Sequence, residues 1–286
     1  MAETAFQIQY RQEFISGFEQ LVSIVRETTT TESVIKGNQA TFLVADSGGA
    51  TAKTRGVNGL IPARGDNLTQ PVATLVEWHD LVRKTDFNIF ASQGNQRAIM
   101  QKTCMGVINR KIDQDVFGEL ATSTVNLGAA VTSNTLRVLR GKTVLGNNDV
   151  PWDGNICFTL TPATEAYMMG ENDFSSRDFT MNGPFDYADP AWKDRPIVYR
   201  WLGMNWIVHP NLNGGGGPGS ATEETYMYHK SAIGHAYNAD DLEAKAGYDE
   251  EQDYSWSRCS IYMGSQLLQG PGVVIIAHDG SALAAA

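Results

Sequence analysis

Residues 94–122 constrain the fold more than any other stretch of the chain. Ile99, Met100, Cys104, Val107, Ile108, Ile112, Val116 and Leu120 recur at helical spacing, and Arg97, Lys102, Arg110 and Lys111 occupy other faces. This spacing predicts one helix with a core stripe through Ile99, Cys104, Val107, Ile108 and Ile112. At ~1.5 Å per residue it would run about 40 Å. Ordinary globular helices are much shorter, so two or three elements must pack along this one.

A second stretch has the opposite character. Ala40 to Ala45 reads as a short strand, and Val72 to Trp78 as another, an edge strand after Pro71. Between them, Ser47 to Gly56 and Gly59 to Asn67 carry almost no large apolar side chain. The pattern is a long hairpin with a polar, Gly-rich tip. An isolated hairpin is marginal in water, so something beyond this stretch must cover it. That is a first sign of assembly.

The remaining elements follow from local signals. Phe14, Phe18, Leu21, Val22 and Val25 predict a helix over 5–26, ending at the β-branched run Thr28 to Thr31, which suits extended chain. A short strand or helix is expected near Leu136 to Leu139. Ile156 to Leu160 reads as a strand. Thr161 then serves as N-cap with Pro162 in the first turn of a helix that stops at Gly170. Strands are expected over Trp201 to His209, Tyr226 to Tyr237, Asp253 to Leu268 and Val273 to His278. Regular βαβ alternation is absent, so the expected class is α+β.

Composition narrows the function. The chain has 286 residues, 42% of them hydrophobic, enough for a substantial core. Lys and Arg number 22 against 32 Asp and Glu, a net charge of −10 with no run of three basic residues. A sequence-specific DNA binder needs basic surface to neutralise phosphates, so that class is excluded. Cys104, Cys157 and Cys259 form no CxxC pair, and an odd count is a poor disulfide framework. They read as reduced, buried thiols of a protein made inside a cell. Met1 to Tyr10 has neither a basic nor an apolar signal region, so no signal peptide is expected. The longest aliphatic run, Val273 to Ala277, falls far short of the roughly 20 residues of a membrane helix.

Catalytic motifs fail on context. Gly214 to Gly219 matches GxGxxG, but Pro210 and Asn211 separate it from the preceding strand, and the segment after it reads as strand rather than helix. Arg140-Gly141-Lys142-Thr143 resembles the end of a phosphate-binding loop, yet Leu136 stands where its first Gly belongs. His229 and His235 on one strand would lie ~20 Å apart, too far to share a metal. His79, His209 and His278 form no HExxH or finger spacing. No GxSxG is present. Asp240-Asp241 and Asp249-Glu250-Glu251 read as solvated loops that could at most bridge a cation weakly. Arg64-Gly65-Asp66 matches an adhesion tripeptide, a pattern too short to carry weight alone. Trp78, Trp152, Trp192, Trp201, Trp206 and Trp256 fit core or interface equally. No cofactor or metal is expected.

The order of elements carries more information than any of these motifs. An N-terminal arm, a Gly-tipped hairpin, one long helix, and a mixed domain closing on two strands resemble the major capsid proteins of tailed bacteriophages, the HK97-type fold. Local echoes support the likeness: "TPATEAYMMG" after the strand at Ile156, "YRWLGMNWIVHPNL" from Tyr199, "YMYHKSAIGHAYN" from Tyr226, and the closing strands from Asp253 to Gly280. The resemblance implies an arm over 1–37 with contacts through Phe14, Phe18 and Leu21. It implies an extended E-loop over 38–90 whose intersubunit tip includes Gly48, Gly49, Lys53, Arg55, Gly59, Arg64 and Asp66. It further implies a peripheral domain over 91–153 and 250–266 with the long helix as its spine, an axial domain over 154–249 and 267–286, and an insertion over 171–195.

The function implied is a shell subunit. It would self-assemble into hexamers and pentamers around double-stranded DNA, be made in the bacterial host cytoplasm, and end in the virion. A separate scaffolding protein is implied because no long helical prefix is recognised, and a portal and a decoration or cement protein are further implied partners. Some members crosslink a loop Lys to a neighbouring Asn; Lys53 has no identifiable partner or catalytic Glu, so no crosslink is expected. The same fold would also serve an encapsulin-type compartment, and a soluble enzyme using Gly214 to Gly219 is a further alternative.

Overall fold

A computed structural model describes residues 22–34, 36–91, 95–171, 199–212, 221–240 and 242–282. Its strands are β1 (Thr30–Val34), β2 (Gln39–Thr41), β3 (Val44–Asp46), β4 (Asn67–Thr69), β5 (Val72–Thr74), β6 (Val76–Thr85), β7 (Ile156–Leu160), β8 (Tyr199–Trp201), β9 (Met204–Val208), β10 (Glu223–His229), β11 (Ile233–Asn238), β12 (Glu243–Asp249), β13 (Tyr254–Leu267) and β14 (Val273–His278). Its helices are α1 (Asp86–Ala91), α2 (Gln96–Leu120), α3 (Thr135–Asn147) and α4 (Pro162–Met169). Helix and strand are mixed without regular alternation, as the α+β expectation requires. The chain falls into two units, described separately: a smaller one built from 77–111 and 240–261, and a larger one from 24–76, 112–239 and 262–286.

The larger unit is organised by a five-stranded sheet in the order β14-β10-β7-β9-β8. Strands β7 and β14 read as continuous apolar runs because both faces of this sheet are covered. Phe158, Met227, Val274 and Ile276 point to one face and pack with Val138 and Leu145 of α3 and Met168 of α4. Cys157, Tyr226, Tyr228, Val273 and Ile275 point to the other and pack with Val116, Phe117 and Leu120 of α2. Helix α3 lies close to the sheet at Gly141, where an added Cβ would come within 3.0 Å of Ile276 Cδ1. The same unit holds β1 parallel to β11, and β11 antiparallel to the C-terminal part of β13.

In the smaller unit β12 pairs antiparallel with Tyr254 to Ser260 of β13, and β6 also pairs with β13. Cys104 Sγ donates to the Ser257 carbonyl at 3.5 Å, and Lys111 Nζ stands 4.0 Å above the Trp78 ring.

Several expected elements hold, and others are corrected. Strands β7 and β14 and helix α4, with Thr161 accepting from Thr164 N, match their expected bounds. The long helix forms from Gln96 to Leu120. The segment near Leu136 is helix α3, capped by the Asn134 side chain. Of the helix expected over 5–26, only 22–26 is described: 22–25 is not helical, and a single 3-10 turn occupies Arg26–Thr28. The strand expected from Ala40 to Ala45 breaks into β2 and β3, and the one from Val72 to Trp78 breaks at Leu75 and continues to Thr85. Trp201 to His209 is a hairpin instead of a strand: Leu202 and Gly203 take φ of 53° and 79°, the left-handed pair of a tight two-residue turn. Tyr226 to Tyr237 is also two strands, split by a 3-10 turn at Lys230–Ala232, so His229 and His235 belong to different sheets.

Within α2 the expected core stripe needs one correction. Cys104, Ile108 and Ile112 are buried and Ile99 is half-buried, but Val107 is 40% exposed. The buried residues Met100, Cys104, Ile108, Ile112 and Val116 step by four along one face. Val107 sits about 100° round the helix from Ile108, on the solvent side of that stripe.

Candidate assembly surface

The hairpin begins at a well-packed root. Ala40, Phe42 and Ala73 are buried together with Ala236, flanked by Val34, Leu75 and Leu268. Two glycines make this approach possible. A Cβ on Gly234 would lie 2.8 Å from the Phe42 ring, and one on Gly264 would lie 2.1 Å from the Thr74 carbonyl oxygen. The cover expected for the hairpin is therefore supplied at its root by the same chain: β2 and β5 pack against β11 and β13.

Beyond the root the character changes. Every residue from 45 to 70 is exposed, including the expected tip residues Gly48, Gly49, Lys53, Arg55, Gly59, Arg64 and Asp66. Strands β3 and β4 hold the two arms in register, with Asp46 opposite Asn67. Asp46 Oδ1 accepts from Gly48 N at 2.6 Å and Asn67 Nδ2 at 2.8 Å, and these bonds, Asn67 first, hold its carboxyl below the usual range. Gly48, Gly49 and Gly59 turn the chain with φ of 59°, 72° and 71°. Arg64 donates to the Ser47 carbonyl at 3.3 Å and Arg55 to the Gly59 carbonyl at 3.4 Å. The Arg64–Asp66 pair at 3.6 Å is solvent-exposed and so contributes little stability. Lys53, Ile61 and Arg64 line an open cleft of about 580 Å³ in this tip.

The exposed part of the hairpin carries Leu43, Val57, Leu60, Ile61 and Leu68, all more than half exposed. Scattered surface apolar residues are ordinary, but a concentration of them on one projecting element marks an interaction surface. No chemistry beyond burial against a partner follows from these residue types.

The sequence did not reveal how the chain enters the larger unit. Asp113 of α2 is fully buried; its Oδ2 accepts from Ile24 N at 3.1 Å, and its Oδ1 from Val25 N at 3.2 Å. His209 Nε2–H donates to the same Oδ2 at 2.8 Å, while its Nδ1 accepts from Asn211 N, which fixes the tautomer. Tyr228 and Thr28 share a hydroxyl hydrogen bond at 2.6 Å, and the Arg26 guanidinium stacks 4.2 Å from the Tyr237 ring. Residues 24–28 are thus clamped to the larger unit. The expected arm contacts Phe14, Phe18 and Leu21 lie outside the described residues. The signal available was an Asp set among apolar residues on a helix face, which demands a buried partner.

The remaining motifs take structural roles. Arg140 to Thr143 is the interior of α3, with Gly141 as a packing position. His229 Nδ1 accepts from Ser231 N and Oγ, and its Nε2–H donates to Asp153, so it caps a 3-10 turn. Hydrogen bonds from Asn155, then His229, pull Asp153 down to about 2. Asp249 accepts from the backbone of Glu251 and Gln252 and so shapes the β12–β13 turn. Trp201 and Trp206 are core residues, while Trp152 is exposed. Arg64-Gly65-Asp66 is part of the exposed tip. Gly214 to Gly219, Trp192 and Asp241 lie outside the described residues. Cys104, Cys157 and Cys259 are buried and free, and burial pushes Cys104 up to about 12 and Cys157 up to about 11. Among the described residues no group of three His, Cys, Asp or Glu is placed to hold a metal, and no helix is long and apolar enough to cross a membrane.

Exposed apolar side chains on a hairpin anchored at a packed root suit a subunit that buries them against another chain. Known proteins identify the family. Residues 2–280 match the sequence profile of the phage capsid proteins, and the chain belongs to that family. The fold is similar to the capsid of the cyanophage P-SCSP1u, at 14% identity and TM-score 0.70 over 97% of this chain and 94% of that one. It is similar to a chain of Mycobacterium phage Che8, at 14% identity and TM-score 0.69 over 96% and 98%. It is also similar to the cyanophage Pam1 capsid, at 11% identity and TM-score 0.71 over 98% of each. No curated protein matches the sequence. The chain is a major capsid protein of a phage, a structural component of the virion shell that assembles with copies of itself.

Proposed function

We propose that this chain builds the icosahedral shell of a tailed bacteriophage, assembling as hexamers and pentamers around double-stranded DNA. The exposed apolar hairpin carries this reading. Leu43, Val57, Leu60, Ile61 and Leu68 project from a packed root, and a neighbouring subunit is the partner that would bury them. The hairpin over 38–90 is then the E-loop, with Gly48, Gly49, Lys53, Arg55, Gly59, Arg64 and Asp66 at an intersubunit contact. Helix α2 is the spine of a peripheral domain; the expected bounds of 91–153 and 250–266 depart from the smaller unit, because 112–153, with α3, packs in the larger one. The axial domain takes 154–249 and 267–286, and the arm takes 1–37. The family match favours this over an encapsulin-type compartment.

The role is structural, with no catalytic step. The net charge of −10 suits a container filled by a motor, because a strongly basic lining would hold DNA tightly. Assembly takes place in the host cytoplasm with a separate scaffolding protein and a portal, and a decoration protein is a further expected partner.

The hairpin tip is tested by replacing 47–66 with a two-residue Asn-Gly turn. Asp46 and Asn67 face each other across β3 and β4, so the closure needs little distortion. The subunit should fold with a near-native unfolding midpoint and form no closed shells. Normal shells from this variant would overturn the assignment of the tip.

A further inference from the structure

At one end of the five-stranded sheet, Glu223 of β10 and His278 of β14 are directly opposed partners, and both are fully buried. Opposed side chains share a face with Cβ atoms about 5 Å apart. That face is the one covered by α3 and α4. The Tyr167 ring of α4 meets the His278 ring edge-on, centroids 4.9 Å apart.

The hydrogen bonds around these groups are well defined on one side and missing on the other. Glu223 Oε2 accepts from the Thr161 hydroxyl. His278 Nδ1 accepts from Ser133 N at 2.9 Å, so the neutral ring carries its proton on Nε2. Three polar atoms remain buried with no hydrogen-bond partner among the described residues: Glu223 Oε1, His278 Nε2 and the Tyr167 hydroxyl. One is an acceptor, one a donor, and the hydroxyl is either. Native proteins rarely leave such groups unsatisfied, and an internal water makes two to four bonds to groups like these.

A metal ion fits poorly. His278 would have to ligate through Nε2 while Nδ1 also accepts a backbone hydrogen bond, which requires an imidazolate.

We propose that Glu223, His278 and Tyr167 form an internal hydration site, in which a bound water accepts from His278 Nε2–H and joins it to Glu223 Oε1 and the Tyr167 hydroxyl. The water would tie α4 to the β10–β14 end of the sheet. Burial raises the Glu223 carboxyl, and burial with the nearby Arg137 guanidinium lowers the His278 imidazole against an opposing pull from Asp279. The lowered His278 favours the neutral imidazole, the form that donates from Nε2–H to such a water.

The test is the sign of a conservative substitution. In Tyr167→Phe, a hydroxyl bonded to the water is lost, and the unfolding temperature of the purified subunit should fall by about 2–4 °C. If the hydroxyl is unsatisfied in a dry site, its removal relieves a buried polar group, and the temperature stays constant or rises. That result would overturn the proposal. Assembled shells imaged by cryo-electron microscopy at better than about 2.5 Å give a second readout. The expected density lies about 2.7–3.0 Å from both Glu223 Oε1 and His278 Nε2. Direct contact between those two atoms, or a peak at metal-ligand distance, would also overturn it.

Discussion

Gly264 lies so close to Thr74 that a single added carbon on it would stand 2.1 Å from the Thr74 carbonyl oxygen. The obstructing atom is backbone and cannot rotate away. The contact joins β13 to the root of the projecting hairpin, so the smallest residue in the chain sets where that hairpin starts.

Gly264→Ala should therefore displace the root. Overpacking of this kind costs about 1–3 kcal/mol. Thermal denaturation should show a lowered midpoint, and assembly yield should fall with it. A variant with unchanged midpoint and yield would mean that the hairpin root does not rest on β13.

The two neighbouring residues Val107 and Ile108 separate the faces of α2. Ile108 is 2% exposed, whereas Val107 is 40% exposed. Ile108→Asp buries an unpaired charge at a cost of several kcal/mol and should give insoluble or unfolded protein. Val107→Asp should stay soluble, with a midpoint within about 2–4 °C of the parent. Equal behaviour of the two variants in a solubility and melting assay would refute this placement of the buried stripe.

Asp113 and His209 make a third prediction. Asp113→Ala leaves Ile24 N, Val25 N and His209 Nε2 without their shared acceptor. Removing one partner from a buried polar set costs about 3 kcal/mol or more. Limited proteolysis should then cut near 22–28 faster than in the parent. Unchanged proteolysis would show that the clamp does not hold the chain there.

The fourth prediction concerns pH. Burial, reinforced by Arg137 and opposed by Asp279, lowers His278 from its ordinary 6.5 to about 4. Between those values the unfolded chain binds a proton that the folded one does not. Stability should therefore fall as pH drops from 6.5 toward 4, by at most ~1.4 kcal/mol per pH unit, and this contribution should level off below 4. Glu223 is raised, so its contribution runs the other way and is lost as pH rises through its folded value. Equilibrium unfolding across this range in His278→Gln should show a flatter acid limb. An identical limb would assign the acid sensitivity to other groups.

Much of this fold was legible because its signals are local. Thr161-Pro162 and Gly170 bound a helix through capping alone, and Val273 to His278 is an apolar run of strand length. The errors lie where chain reversal or sheet-switching decides. The turn at Leu202 and Gly203 places a non-Gly residue in the left-handed region, so a single Gly did not mark the chain reversal. The break at Lys230–Ala232 exists because β10 and β11 belong to different sheets, a tertiary fact. The glycines of the tip were readable from composition, but its exposed Val57, Leu60 and Ile61 depart from the polar surface expected there, and its buried root was hidden because it depends on Gly234 and Gly264 nearly 200 residues away. The Asp113–His209 pair spans 96 residues and was likewise invisible.

Negative-stain electron microscopy with light scattering, on the purified chain alone and co-expressed with a candidate scaffolding protein, tests the central claim most directly. Closed shells, or rings and sheets of capsomers, are the predicted result. A monodisperse monomer of 31.2 kDa under every condition would contradict the account.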